Sequence, residues 1–223
     1  MRGFDMDTTK DLLNGNEAKA MINFSIPMII GNIFQQLYNI ADTVIVGRFI
    51  GPRALAAVGS SFSIMVLLTS IILGLCMGSS AVFSYLFGRK ETDTLKNSFF
   101  TSFCFIGIVA TVINLCSLLF IDSILSFINI PPELLADSKK YLQIIFYGIG
   151  FTFLYNYFTA VLRSMGNSYI PLIFLVISAV MNIVLDIIFV VPLRMGIAGA
   201  AYATIIAQGF SATGIFLYCV RKV

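Results

Sequence analysis

Residues 169–191 read YIPLIFLVISAVMNIVLDIIFVV, an apolar run of helix-spanning length whose only formally charged member is Asp186. As an α-helix such a run is about 34 Å long at 1.5 Å per residue. That exceeds the roughly 30 Å of a bilayer's hydrocarbon core. The run has no period-two alternation, so a barrel strand is excluded and a membrane-crossing helix is predicted. Gly166-Asn167 before it and Pro192 to Gly196 after it supply turn chemistry on both sides.

The same pattern extends over the rest of the chain. Apolar residues make up 58% of its 223 positions and charged residues 11%, whereas a soluble domain carries roughly 25% charged residues to solvate its surface. Five further segments resemble the first, at about 21–46, 54–87, 98–120, 138–162 and 197–220. The expected fold is an all-α integral membrane protein, a six-transmembrane-helix bundle. Residues 1–20 hold Asp5, Asp7, Lys10, Asp11, Glu17 and Lys19 and read as a solvated lead-in. The apolar segment after them is too long for a signal-peptide core and has no small-residue cleavage site. The break at 122–137 contains Pro131-Pro132.

Counting basic residues gives an orientation. With the N-terminus in the cytoplasm, Arg2, Lys10, Lys19, Arg89, Lys90, Lys96, Arg163, Arg221 and Lys222 lie inside. Arg48, Arg53, Lys139, Lys140 and Arg194 lie outside. The bias places both termini in the cytoplasm of a plasma (cell inner) membrane protein.

Several function classes fall away. The chain has no histidine, which removes His-based metal sites, proton relays and catalytic triads. Cys76, Cys104, Cys116 and Cys219 stand singly inside apolar runs and read as packed thiols. A net charge of +3 gives no reason to expect a nucleic-acid partner. Neither an enzyme nor a resident cofactor is expected.

Two acidic residues do not lie in loops: Asp42, late in the first apolar segment, and Asp186, late in the fifth. Each costs about 2.5–3.5 kcal/mol at mid-bilayer on the insertion scale unless its surroundings compensate. Both segments run outward, so the two carboxyls share a depth. Asn182 stands one turn before Asp186, and Gln35, Tyr38, Asn39 and Asp42 form a polar stripe at helical spacing. Thr204 and Tyr141 also count to the outer half, and Asn156 to the inner half. Two carboxyls in one low-dielectric pocket do not easily both ionise, so a proton could be exchanged there. A Na⁺ held by carboxylate, amide and hydroxyl oxygens is an alternative. A third reading gives the two aspartates only interhelical hydrogen bonds. Elsewhere, Pro27 is expected to kink the first helix, and Gly74 with Gly78 to support close helix packing.

The stretch from Pro27 through Gln35, Tyr38 and Asp42 to Gly47 and Gly51 resembles the first helix of the multidrug and toxic compound extrusion (MATE) family. Leu162-Arg163-Ser-Met-Gly166-Asn167, Asn182-Ile-Val-Leu-Asp186 and Met195-Gly196-Ile-Ala-Gly199-Ala-Ala201 extend the likeness in order from about Ala18 onward. The resemblance implies a secondary antiporter that exports cationic or amphipathic drugs, or toxic organic cations, against inward H⁺ or Na⁺. It also implies two six-helix lobes around a central cavity, of which residues 21–223 match the amino-terminal one. Asp42, Asn182, Asp186 and Thr204 match the family's cation-site positions. Tyr141 fits less closely and Asn156 loosely, while Gln35, Tyr38 and Asn39 fall on the substrate-cavity side. A missing second lobe is expected, supplied by the rest of a longer chain or by a second copy. A lipid-linked-precursor flippase of the same broad superfamily and a non-transporting membrane scaffold are the competing readings.

Overall fold

The apolar runs are helices in the computed structural model, which describes residues 17–222, with side chains from Met21 onward. α1 spans Glu17–Ile45 and passes into a π-helical turn at Val46–Ile50. α2 (Pro52–Gly88), α3 (Thr92–Leu119) and the short α4 (Ile121–Phe127) follow. α5 (Pro132–Tyr147), α6 (Ile149–Ser164), α7 (Tyr169–Val190) and α8 (Ile197–Lys222) complete the chain. Residues 1–16 of the expected lead-in lie outside the described residues, and Glu17 to Ala20 are already helical.

Among the described residues, α2, α3, α7 and α8 are each long and apolar enough to cross a membrane. α5 and α6 do so together as one span bent by 47°. α1 is long enough at 29 residues. Its apolarity falls below that of the others because Asn32, Gln35, Gln36, Asn39 and Asp42 occupy its second half. Asn32, Gln35 and Gln36 are exposed on this chain and Asn39 and Asp42 half-buried, so their face suits protein or water better than acyl chains. Large apolar side chains stay exposed along the exterior, including Leu67 and Ile108, as lipid contact requires.

Three boundaries and one packing expectation differ from the sequence reading, each for a local reason. The first segment, expected to close at about residue 46, continues through Gly47 and Arg48. The backbone absorbs both residues into a π turn, closed by a hydrogen bond from Gly51 N to Val46 O at 3.1 Å, and it stops at Gly51, whose φ is 119°. The break at 122–137 is mostly helical: α4 fills its start, and Pro132 serves as the first residue of α5, where its missing N–H has no bond to make. The fourth segment is broken at Gly148. A Cβ there would meet Ile205 Cγ1 at 2.8 Å, so the bend lets α8 approach closely. Finally, a Cβ at Gly74 or at Gly78 would meet nothing within 4 Å. The pair lies on an open face of α2 and makes no close packing here.

α8 forms the spine of the bundle, packing against α7, α6 and α5. Small residues allow this: Ala198, Gly199, Ala200, Ala201, Ala203 and Ala207 are buried, and close backbone approach replaces the hydrophobic effect that lipid removes. An aromatic cluster joins α2, α3 and α6. Phe83 meets Phe99 edge-on at 4.6 Å, and Tyr157 meets Phe103 at 5.2 Å while its hydroxyl donates to Phe99 O at 2.6 Å. The expected turn before α7 forms. Gly166 adopts φ 85°, and buried Asn167 accepts from Ile170 N at 3.1 Å, satisfying an open donor of the α7 first turn.

Candidate functional site

A second buried cluster gathers Val46, Ala57, Tyr141, Val190, Ala200 and Ala201. It joins the end of α1 to α5, α7 and α8, and the polar residues of interest meet beside it. Asp186 has no solvent exposure and Asn182 retains 2%. Asn182 Nδ2 donates to Thr204 Oγ1 at 3.3 Å, and Thr204 Oγ1 donates to Ala200 O at 3.0 Å. That orients Thr204 as part of a chain running from α8 to α7. From α1, the half-buried Asp42 brings its carboxyl against that of Asp186, and the Tyr38 hydroxyl lies beside Thr204. Tyr141 of α5 is buried within electrostatic reach of both aspartates and of Tyr38.

The acceptors outnumber the donors. Asp42 Oδ1, Asn182 Oδ1 and both carboxyl oxygens of Asp186 are buried without a hydrogen-bond donor among the described residues. Buried oxygens of this kind are ordinarily satisfied, and an unpaired buried carboxylate is far more costly than an unpaired amide. A proton shared between the carboxyls would supply one donor. A small monovalent cation would satisfy several oxygens at once. No group of three or more His, Cys, Asp or Glu stands together among the described residues.

The remaining sequence candidates sit apart from this cluster. Gln35 is exposed on α1. Asn39 donates to Gln36 Oε1 at 3.1 Å and accepts from Thr43 Oγ1 at 2.7 Å. Tyr38, grouped with them in the sequence stripe, turns instead toward Thr204. Asn156 belongs to another polar group, donating to Thr152 O at 2.8 Å, while Thr152 Oγ1 donates to Gln208 Oε1 at 2.9 Å. Thr152 and Gln208 were not anticipated. The i, i+4 spacings Thr152–Asn156 and Thr204–Gln208 would have marked them as same-face neighbours.

Long apolar helices around a buried polar cluster define an all-α, multi-span membrane protein. Comparison with known proteins gives the family. The MatE family model matches residues 27–188, and the chain belongs to that family. It is 36% identical over 216 residues to "Probable multidrug resistance protein YpnP" of Bacillus subtilis (strain 168), covering 93% of this chain and 46% of the relative. Against "Multidrug export protein MepA" of Staphylococcus aureus (strain N315) identity is 27% over 206 residues, covering 92% and 45%. Among solved structures, an outward-facing multidrug resistance MATE family transporter of the MOP superfamily superposes with TM-score 0.89 at 29% identity, covering all of this chain and 48% of that one. A MOP superfamily transporter from Pyrococcus furiosus Vc1 (DSM3638) gives 0.88 at 29%, covering 98% and 47%. The chain thus spans about half the length of the relatives and structures it matches.

Proposed function

We propose that this chain is the six-helix amino-terminal lobe of a cation-coupled multidrug exporter, with residues 21–223 forming the lobe and residues 1–20 a cytoplasmic lead-in. The observation that carries the reading is the facing pair of Asp42 and Asp186, three of whose carboxyl oxygens, together with Asn182 Oδ1, are buried without a donor among the described residues. An inward-moving H⁺ or Na⁺ would neutralise the pair, let α1 repack against α7 and lower the affinity for a cationic or amphipathic drug in the adjoining cavity. One charge moving down 100 mV provides about 2.3 kcal/mol, or roughly fortyfold in drug concentration at balance. Rocking of this lobe against a second one supplies alternating access. The second lobe comes from further chain or from another copy. Both termini lie in the cytoplasm and the membrane is the plasma membrane.

The basic residues favour this reading over a carrier of lipid-linked anionic precursors. Among the described residues, Arg48, Arg53, Arg89, Lys90, Arg194 and Arg221 lie at or near helix ends. Lys139 and Lys140, midway along α5, stand in the first half of the bent α5–α6 span, with Lys139 paired to Asp122. That leaves few cations placed to hold a phosphate at mid-span. The test is efflux of a cationic dye from cells making the complete transporter that carries this lobe. Asp42→Asn should abolish the dependence of efflux on the H⁺ or Na⁺ gradient. Undiminished, gradient-driven efflux by that variant would reject Asp42 as a coupling residue.

A further inference from the structure

A groove of about 570 Å³ that shares no lining residue with the aspartate cluster runs between α3 and the start of α6. α3 and α6 are antiparallel here: Tyr157 bonds near Phe99 and Ser102, and Phe153 packs on Phe103. A Cβ on Gly107 would touch the Phe153 ring at 3.5 Å. One turn further along, Gly150 faces the level of Thr111, and the break at Gly148 faces the level of Asn114. The groove exists because Gly150 carries no side chain and because α5 and α6 diverge by 47° just there.

Its chemistry is graded along its length. Ile108, Val112, Leu115 and Phe153 make an apolar trough, while Thr111 and Asn114 provide polar groups toward one end. Thr111 spends its hydroxyl proton on Gly107 O at 2.8 Å. Asn114 Oδ1 is buried without a donor among the described residues, so its amide has capacity left over. From Phe103 to Leu115 the lining covers about 18 Å of helix, close to the roughly 15 Å depth of one leaflet. α3 packs chiefly on α2 and α6, with α4 and α5 beyond, and its outer face meets lipid. An occupant must be apolar for a leaflet's depth and must end in hydrogen-bonding groups.

We propose that this groove is a lipid site, taking one acyl chain of a glycerophospholipid along α3 with its hydroxyl-bearing headgroup at the Thr111–Asn114 end, where a hydroxyl can donate to Asn114 Oδ1. The site differs from ordinary annular contact in having a depth set by a missing side chain. A Cβ at Gly150 would meet nothing within 4 Å, so Gly150→Leu enters the groove rather than the core.

The chain, delipidated in dodecyl maltoside, is titrated with palmitoyl-oleoyl phosphatidylglycerol and followed by native mass spectrometry. One phospholipid should bind per chain. Gly150→Leu should weaken it about tenfold or more by displacing several methylenes, and Asn114→Leu should weaken it less. Phe100→Leu, at a position 72% exposed outside the groove, should leave it unchanged. An independent readout guards against a misfolded variant. The chain contains no tryptophan, so Leu115→Trp inside the groove and Leu119→Trp outside it report separately. Brominated phosphatidylglycerol, added to vesicles of unbrominated phosphatidylcholine, should quench the first at a lower mole fraction than the second. Equal quenching at both positions, or unchanged lipid retention by folded Gly150→Leu, would show annular lipid alone and overturn the proposal.

Discussion

The carboxyl groups of Asp42 and Asp186 abut across the α1–α7 interface, and no lysine or arginine accompanies them among the polar groups of that cluster. Two negative groups so placed repel each other and are both deprived of water. Burial of two facing carboxyls is costly unless one of them is protonated or a cation lies between them.

Removing one charge should therefore stabilise the lobe while removing its cation response. In alkaline buffer without Na⁺, Asp42→Asn should unfold at higher temperature than the wild type, by a margin on the order of 1 kcal/mol or more. Adding Na⁺ should raise the wild-type midpoint and leave the variant's nearly still, while acidifying should raise both, the variant's less, because Asp186 remains buried there and acid still neutralises it. Thermal unfolding of the purified chain followed by circular dichroism checks both statements. An unstable Asp42→Asn would mean that the carboxylate has a structural partner instead.

Thr204→Val keeps shape and volume but removes the oxygen that receives Asn182 Nδ2. Leaving that buried donor unpaired should cost about 1–3 kcal/mol. Asn182 Oδ1, freed to reorient, should weaken cation binding roughly tenfold for each 1.4 kcal/mol lost. Thr204→Ser, which restores the hydroxyl, should recover most of both effects. Paired stability and cation-titration measurements decide the matter, and a fully active Thr204→Val removes Thr204 from the site.

Glycines separate close packing from mere composition. A Cβ on Gly199 would lie 3.1 Å from Phe189 Cβ and 3.2 Å from its carbonyl carbon. Backbone and Cβ cannot swing aside, so Gly199→Ala should destabilise the α7–α8 contact by about 1–3 kcal/mol. Gly74→Ala adds a methyl to open space and should be neutral or stabilising by about 0.5–1 kcal/mol through helix propensity. The ranking is read from unfolding midpoints of the two variants. A destabilising Gly74→Ala would restore the packing role that the Gly74–Gly78 spacing suggests.

The exposed pair Arg53–Asp137 at 3.2 Å ties the start of α2 to α5. Arg53→Ala should change stability by less than about 1 kcal/mol, since exposed ion pairs contribute little. A double-mutant cycle with Asp137→Ala measures the coupling.

Membrane helices were legible wherever apolar residues ran without interruption, as in 169–191, because lipid leaves the backbone few alternatives. Breaks were harder to read. Gly148 was invisible as a bend because its reason is Ile205, more than fifty residues away. The π turn after Asp42 has no composition of its own. Gly74 and Gly78 misled because spacing shows which residues share a helix face and cannot show what that face meets. At the candidate site, matched depth and i, i+4 spacing put Asp42, Asn182 and Asp186 side by side, and it was the family resemblance that grouped Thr204 with them. Turning Tyr38 toward Thr204, and linking Thr152 to Gln208, required the rotation of each helix about its axis. Hydropathy leaves that rotation undetermined, and packing against α8 sets it.

The central claim, that the aspartate pair holds the coupling cation in competition with drug, is met most directly by binding of ethidium to the purified chain in lipid nanodiscs, titrated with Na⁺ at fixed pH and with acid at fixed Na⁺. The account predicts that at least one of the two cations weakens ethidium binding in the wild type, and that neither does so in Asp42→Asn or Asp186→Asn. Ethidium binding that ignores both cations in the wild type, or that responds equally in the variants, would contradict it.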